Sequence, residues 1–83
     1  MSQSESQGAP AVSFSSFVVS LATSAMTHLG EGPGGSVDLA LARQTIDLLG
    51  VLQEKTDGNL DDEEKQLLDA VLHETRTKYL AKA

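Results

Sequence analysis

The 83-residue sequence contains no cysteine and no tryptophan, and its aromatic side chains are two phenylalanines and one tyrosine. Without cysteine, disulfides and thiolate metal sites are excluded. A domain of this length has a small core, and small domains are usually reinforced by disulfides, by a metal or by self-association. Self-association is therefore the first reinforcement to consider.

Basic side chains are also scarce. Residues 1–30 contain no lysine or arginine and a single acid, Glu5, and the whole chain has a net charge of -6. We therefore expect neither nucleic acid nor an anionic membrane surface as a partner, since both are bound by clustered basic side chains. A secretory signal would need a cationic segment ahead of residues 14–26, and serines and threonines interrupt that run too often for a membrane span. The sequence predicts an acidic, cytoplasmic protein.

Two clusters of turn-forming residues divide the chain. Residues 30–35 (GEGPGG) and 57–59 (DGN) interrupt helices, and the segments between them have helical rather than alternating periodicity. We predict a flexible tail over residues 1–12 and one all-α domain over residues 13–83, in which the second and third helices form a hairpin. The predicted helices cover about residues 13–29, 36–56 and 61–81.

Polar residues ahead of the second and third segments indicate where these helices begin. Ser36 can cap the second helix, which places Asp38 in its first turn. Asp61 followed three residues later by Glu64 forms a variant of the capping box. The third helix is therefore expected to begin after Asp61.

The first segment has an apolar face and, opposite it, an arc of serines and threonines that carries no charge. Such an arc is too polar for lipid, and its small side chains allow another helix to approach closely, so we expect protein on both sides of this helix. The simplest source of protein for the second side of this helix is another copy of the chain, which gives a homodimer or a larger homo-oligomer. The predicted self-association face consists of Phe14, Phe17, Leu21, Ser16, Ser20, Ser24, Ile46 and Leu49.

Two other readings of that arc remain open. The serines and threonines can simply face water, as they often do. Alternatively, the chain is a monomeric adaptor whose first helix is covered by a different, unidentified protein. Both keep the all-α fold and differ in what contacts the first helix.

The candidate chemistry is sparse. Asp57, Asn59 and Asp61 match three positions of an EF-hand loop, but the required glycine and bidentate acid are replaced by Asp62 and Leu68. The sequence has no G-x-S-x-G motif and no phosphate-binding loop with its lysine. We therefore expect no enzyme activity, no catalytic residues, no cofactor and no metal.

Of the two histidines, His28 is the candidate for a special role. It lies on the apolar side of the first helix near its end, where it can bond a free carbonyl and complement the helix dipole. The alternative is a small-ligand or metal binder that uses His28 near the core.

The stretches FSSFVVSLATSAMTHLG and LARQTIDLLGVLQEKTDGNLDDEEKQLLDAVLHETRTKYL resemble a family of small bacterial proteins catalogued as domain of unknown function 1844. The shared pieces are F-x-x-F-V-x-S-L-A-x-S-A-x-x-H-L-G, Q-T-I-D-L-L, K-T-x-G-N-L and E-E-x-x-L-L, over about residues 13–80. The resemblance implies a small helical protein with no assigned activity, cofactor or catalytic residue. Thr75 departs from it by standing where a larger apolar residue is expected, which should loosen the third helix. Asp61 departs by replacing a threonine cap, which should be neutral.

Overall fold

The structure, a computed structural model, describes residues 13–83, so the predicted tail over residues 1–12 lies outside it. In the described residues, three helices each pack against the other two, which confirms the all-α prediction. An isolated antiparallel bridge joins Leu29 to Val37. None of these helices is both long and apolar enough to cross a lipid bilayer. The helices are α1 (Phe14–His28), α2 (Leu39–Lys55) and α3 (Asp62–Lys82).

Helix α1 begins with a capping box formed by Ser13 and Ser16, which was not among the predicted caps. The Ser13 hydroxyl accepts a hydrogen bond of 3.0 Å from the Ser16 backbone N–H, and the Ser16 hydroxyl accepts one of 3.0 Å from the Ser13 N–H. The two serines thereby satisfy two donors that the first turn of a helix leaves without intrahelical partners.

Helix α1 ends in a Schellman motif built on Gly30. The Gly30 N–H donates to the Thr27 carbonyl at 3.0 Å, and the Glu31 N–H donates to the Met26 carbonyl at 2.9 Å. Gly30 has a φ of 90°, a conformation that glycine adopts without steric cost. This sharp stop turns the chain back toward α2.

The predicted N-cap of α2 at Ser36 is wrong, because Asp38 is the cap. The Asp38 carboxylate accepts from the Leu41 N–H at 3.1 Å, so the helix begins at Leu39. The chain stays extended until then because Val37 pairs with Leu29 and the Asp38 N–H donates to the His28 carbonyl at 2.7 Å. These tertiary contacts move the N-cap from Ser36 to Asp38.

The predicted capping box of α3 is confirmed. The Asp61 carboxylate accepts from the Glu64 N–H at 2.8 Å, and the Glu64 carboxylate accepts from the Asp61 N–H at 3.0 Å. Asp62 and Glu63 add negative charge to the first turn, where the helix dipole is positive.

All three helices contribute to one apolar core, and Phe14, Leu21, Leu52 and Tyr79 pack around it while partly exposed. Thr75 is also fully buried, and its hydroxyl donates to the Val71 carbonyl at 2.8 Å. The threonine thus sits in the core with its polar group satisfied. The buried residues of the core cluster are Val18, Ala25, Ile46, Leu49, Leu68 and Leu72.

Candidate interaction surface

An exposed apolar groove runs between α1 and α2. Phe17 and Leu21 form its α1 wall, while Leu48 and Val51 stand opposite on α2. Phe17 is 48% exposed, Leu48 is 52% exposed and Val51 is 51% exposed. Side chains of this size are usually covered when they lie side by side, since a contiguous exposed apolar patch typically marks an interaction site. We call these residues, together with Leu52 in the same groove, the α1–α2 face.

The apolar surface continues along α2 toward its N-terminus. Leu41 is 42% exposed and lines a shallow depression with Leu48 and Val51. The outer edge of this depression is polar, and there Arg43 Nε lies 3.8 Å from a carboxylate oxygen of Asp47. Since both side chains of this pair are largely exposed, the pair adds little to stability. The apolar strip on α2 therefore has a charged margin on one side and α1 on the other.

The structure places the predicted α1 residues of the self-association face in three settings. Phe14, Leu21 and Ser24 are half-buried, and Phe17 and Ser20 are exposed. Ser16 is exposed as well, but its hydroxyl is engaged in the capping box with Ser13. Phe17, Leu21, Ser20 and Ser24 remain available to a partner.

The two α2 residues assigned to that face lie elsewhere. Ile46 is 6% exposed and Leu49 is fully buried, so both belong to the core of the single chain. The apolar residues that α2 presents outward are Leu41, Leu48 and Val51. Ile46 and Leu49 are therefore not accessible to a partner, and on α2 only these three large apolar side chains are.

Helical periodicity alone does not separate the buried part of the α2 apolar arc from its exposed part. The apolar arc of α2 spans about half of the helix, and a helical wheel does not show which part of it faces the other helices of the chain. In the structure α1 and α3 cover the part of the arc that contains Ile46 and Leu49. The edge of the arc that borders the groove between α1 and α2 stays exposed. A signal for this edge is present in the sequence. Leu41, Gln44, Leu48 and Val51 follow one another at intervals of three, four and three residues, which is the spacing of contact positions in paired helices.

The hydroxyl arc of α1 satisfies part of its own hydrogen-bonding capacity. The Thr23 hydroxyl donates to the Val19 carbonyl at 2.9 Å, and the Thr27 hydroxyl donates to the Thr23 carbonyl at 2.9 Å. Because these hydroxyl protons are already bonded within α1, they are not available to a partner. The arc therefore presents fewer free donors than the sequence alone indicates.

His28 is half-buried at the last residue of α1. Its backbone carbonyl accepts the Asp38 N–H, so this position joins the end of α1 to the start of α2. Across residues 13–83, no three histidine, aspartate or glutamate side chains lie close enough together to hold a metal ion.

One polar cluster ties α2 to α3 on the side away from the groove. The Gln53 amide donates to one carboxylate oxygen of Asp69 at 2.8 Å, and the Lys65 ammonium donates to the other at 3.1 Å. The hydrogen bond from Gln53, followed by that from Lys65, lowers the pKa of Asp69 from its ordinary value of 3.8. Each of these residues has a partner within the chain, and the Gln53–Asp69 bond joins α2 to α3.

Comparison with known proteins identifies a family that the chain matches over most of its length. The family described as domain of unknown function 1844 matches residues 11–81, which covers all of α1 and α2 and nearly all of α3. Neither a curated protein nor a solved structure matches the chain.

Proposed function

Because the chain belongs to the family described as domain of unknown function 1844, we propose its role from its surface alone: a non-enzymatic helical module that self-associates through the α1–α2 face. The observation that carries the proposal is the contiguous apolar groove between α1 and α2, in which Phe17, Leu48 and Val51 are about half exposed. Covering such a surface is favourable by roughly 25 cal/mol for each Å² removed from water.

The small size of the domain supports the same proposal. Within residues 13–83 only a few apolar side chains are fully buried, and valine and leucine are the largest of them. A core of this kind gives limited stability, and a second copy adds burial without any change of fold. On the expectations drawn from the sequence, this module acts in the cytoplasm, and microscopy of a fluorescent fusion tests that location.

The test is the mass of the protein in solution across a dilution series. We expect the native chain to form a dimer or larger homo-oligomer that dissociates on dilution. Leu48→Glu places a charge in the groove and should yield a folded monomer with an unchanged helical circular dichroism spectrum. Leu80→Glu is the matched control, because Leu80 is 73% exposed and lies on α3 outside the α1–α2 face.

The possible results separate the proposal from its rivals. A native chain that stays monomeric at every concentration contradicts self-association and favours the adaptor that binds a different protein. If Leu48→Glu and Leu80→Glu lower the oligomeric mass equally, the interface is not at the α1–α2 face. The ligand-binding alternative at His28 predicts that an added ligand or metal raises the Tm, and that His28→Ala abolishes the increase.

A further inference from the structure

We infer that the second copy docks with its α2 antiparallel against α2, about a two-fold axis that crosses the helix between Leu48 and Val51. This inference rests on the proposed function and specifies the partner's orientation. It follows from the spacing of the exposed α2 residues, from the charge at the ends of this strip, and from the position of α1 beside it.

The exposed strip of α2 has the spacing of a two-helix seam. Leu41, Gln44, Leu48, Val51 and Lys55 follow one another at intervals of three, four, three and four residues, as do the contact positions of paired helices. We call these five residues the α2 seam. In an antiparallel pair with the axis between Leu48 and Val51, each Leu48 meets the Val51 position of the other copy. The most apolar part of the seam therefore lies at the axis.

The charge in the seam favours this orientation over the parallel one. Lys55 is a seam residue, so a parallel pair places the two Lys55 ammonium groups opposite each other, which is unfavourable in a partly desolvated contact. In the antiparallel pair each Lys55 instead meets the Gln44 position of the other copy, whose amide oxygen can accept a hydrogen bond.

The position of α1 fits the antiparallel arrangement as well. The two-fold axis is perpendicular to α2 and lies in the plane of the interface. Rotation about it leaves α1 on the same side of α2 in both copies. Helix α1 of one copy therefore lies over α1 of the other. Phe17 and Leu21 share the groove with Leu48 and Val51, which places them beside the axis. They are then covered by the same residues of the second copy. Two helices from each chain form a four-helix assembly, a common architecture for helical dimers.

The small side chains next to Phe17 allow this approach. Ser20 and Ser24 lie on the flank of α1 that extends outward from Phe17, and neither has the bulk to hold a second α1 away. The serine row thus contributes by permitting close packing rather than by forming an apolar contact.

A charge exchange within the seam tests the orientation. Gln44→Lys places a lysine against the partner's Lys55 in the antiparallel dimer, and it should weaken dimerisation on the order of fivefold through the two equivalent contacts. Adding Lys55→Glu converts both contacts into opposite-charge pairs and should restore the native Kd. Gln66→Lys on the exposed outer side of α3 is the charge control and should leave the Kd unchanged.

Cysteine cross-linking gives an independent measurement, because the sequence has no native cysteine. Residues 44 and 55 are about 16 Å apart along the helix axis, so the two orientations give different products. In the antiparallel dimer, Gln44→Cys should form no disulfide alone and should form one when mixed with Lys55→Cys. Disulfide formation by Gln44→Cys alone would indicate the parallel dimer and overturn the inference.

The remaining results are equally decisive. Failure of Lys55→Glu to rescue Gln44→Lys, or a dimer that forms neither disulfide, overturns the orientation while the proposed self-association stands. A native chain that is monomeric at all concentrations overturns both. Rescue together with the mixed disulfide supports the antiparallel seam.

Discussion

The backbone of Gly30 lies directly against the side chain of Val37: a β-carbon on residue 30 would stand 2.8 Å from Cγ2 of Val37. Gly30 also has a positive φ and forms the turn that ends α1. The glycine therefore has two roles, since it adopts a left-handed conformation and leaves room for the Leu29–Val37 bridge.

Gly30→Ala should destabilise the domain through both effects. The left-handed conformation costs an alanine about 1 kcal/mol, and the clash with Val37 adds to that cost. We expect a loss of about 2 kcal/mol or more in the free energy of unfolding, measured by urea denaturation.

Gly34→Ala is the matched control for this substitution. Gly34 has nearly the same φ, 89°, but a β-carbon there meets nothing within 4 Å. It should show the conformational cost without the clash. Equal losses in the two variants would mean that Val37 moves aside freely.

The sequence predicted the three helices because their apolar residues repeat with helical period and glycine-rich breaks separate them. It also predicted the capping box of α3, because Asp61 and Glu64 satisfy each other locally. It was wrong at the start of α2, where contacts between Val37 and Leu29 keep Ser36 outside the helix. Local chemistry is readable from sequence, whereas a cap displaced by a tertiary contact is not.

The α1–α2 face was partly predictable for the same reason. Periodicity identified the apolar arc of α2, but the choice between Leu49 in the core and Leu48 on the surface depends on how α1 and α3 are placed around it. Phe17 was likewise assigned correctly to the apolar side of α1, yet its position at the edge of that side leaves it half exposed. Sequence periodicity gives the direction of a face and not its limits.

Thr75→Val should leave the domain equally stable or slightly more stable. The Thr75 hydroxyl donates to carbonyls of its own helix, so its removal leaves no buried donor without a partner. The added methyl group lies in the core and contributes up to about 1 kcal/mol. Thermal unfolding should show an unchanged or higher Tm.

Thr77→Val serves as the comparison for Thr75→Val, because Thr77 is exposed and bonds to the His73 carbonyl in the same way. We expect a change within about 0.5 kcal/mol there. A clear loss of stability in Thr75→Val alone would show that the buried hydroxyl holds α3 in place.

The cluster around Asp69 predicts a pH-dependent contribution to stability. Because the pKa of Asp69 is lowered in the folded state, its ionised form is favoured by folding. The contribution is fully present above the ordinary value of 3.8 and is lost as the pH falls below that value through the lowered pKa. Asp69→Asn should therefore lower the Tm at pH 7, and the difference from the native chain should shrink as the pH falls below about 4.

Gln53→Leu isolates the largest cause of that shift. It removes the 2.8 Å hydrogen bond to Asp69 and leaves the contact with Lys65 intact. The pKa of Asp69, followed by NMR titration of its carboxyl carbon, should rise toward its ordinary value. An unchanged pKa would assign the shift to Lys65 instead.

Phe17 and Val18 are neighbours on α1 with opposite surroundings, which allows the core and the α1–α2 face to be probed separately. Val18 is fully buried, and Phe17 is 48% exposed. Val18→Ala should cost about 2 kcal/mol, because it leaves a cavity in the core. Phe17→Ala should cost the isolated chain less, since half of the ring is already in water.

The dependence of Tm on protein concentration distinguishes the two losses. A self-associating native chain has a Tm that rises with concentration, because association stabilises the folded state by mass action. Val18→Ala should lower the Tm by a similar amount at every concentration and retain that rise. Phe17→Ala should flatten the rise, since the ring would no longer be covered by a second copy. If Phe17→Ala retains the native rise, the phenylalanine lies outside the contact between copies, and the overlay of α1 on α1 is wrong.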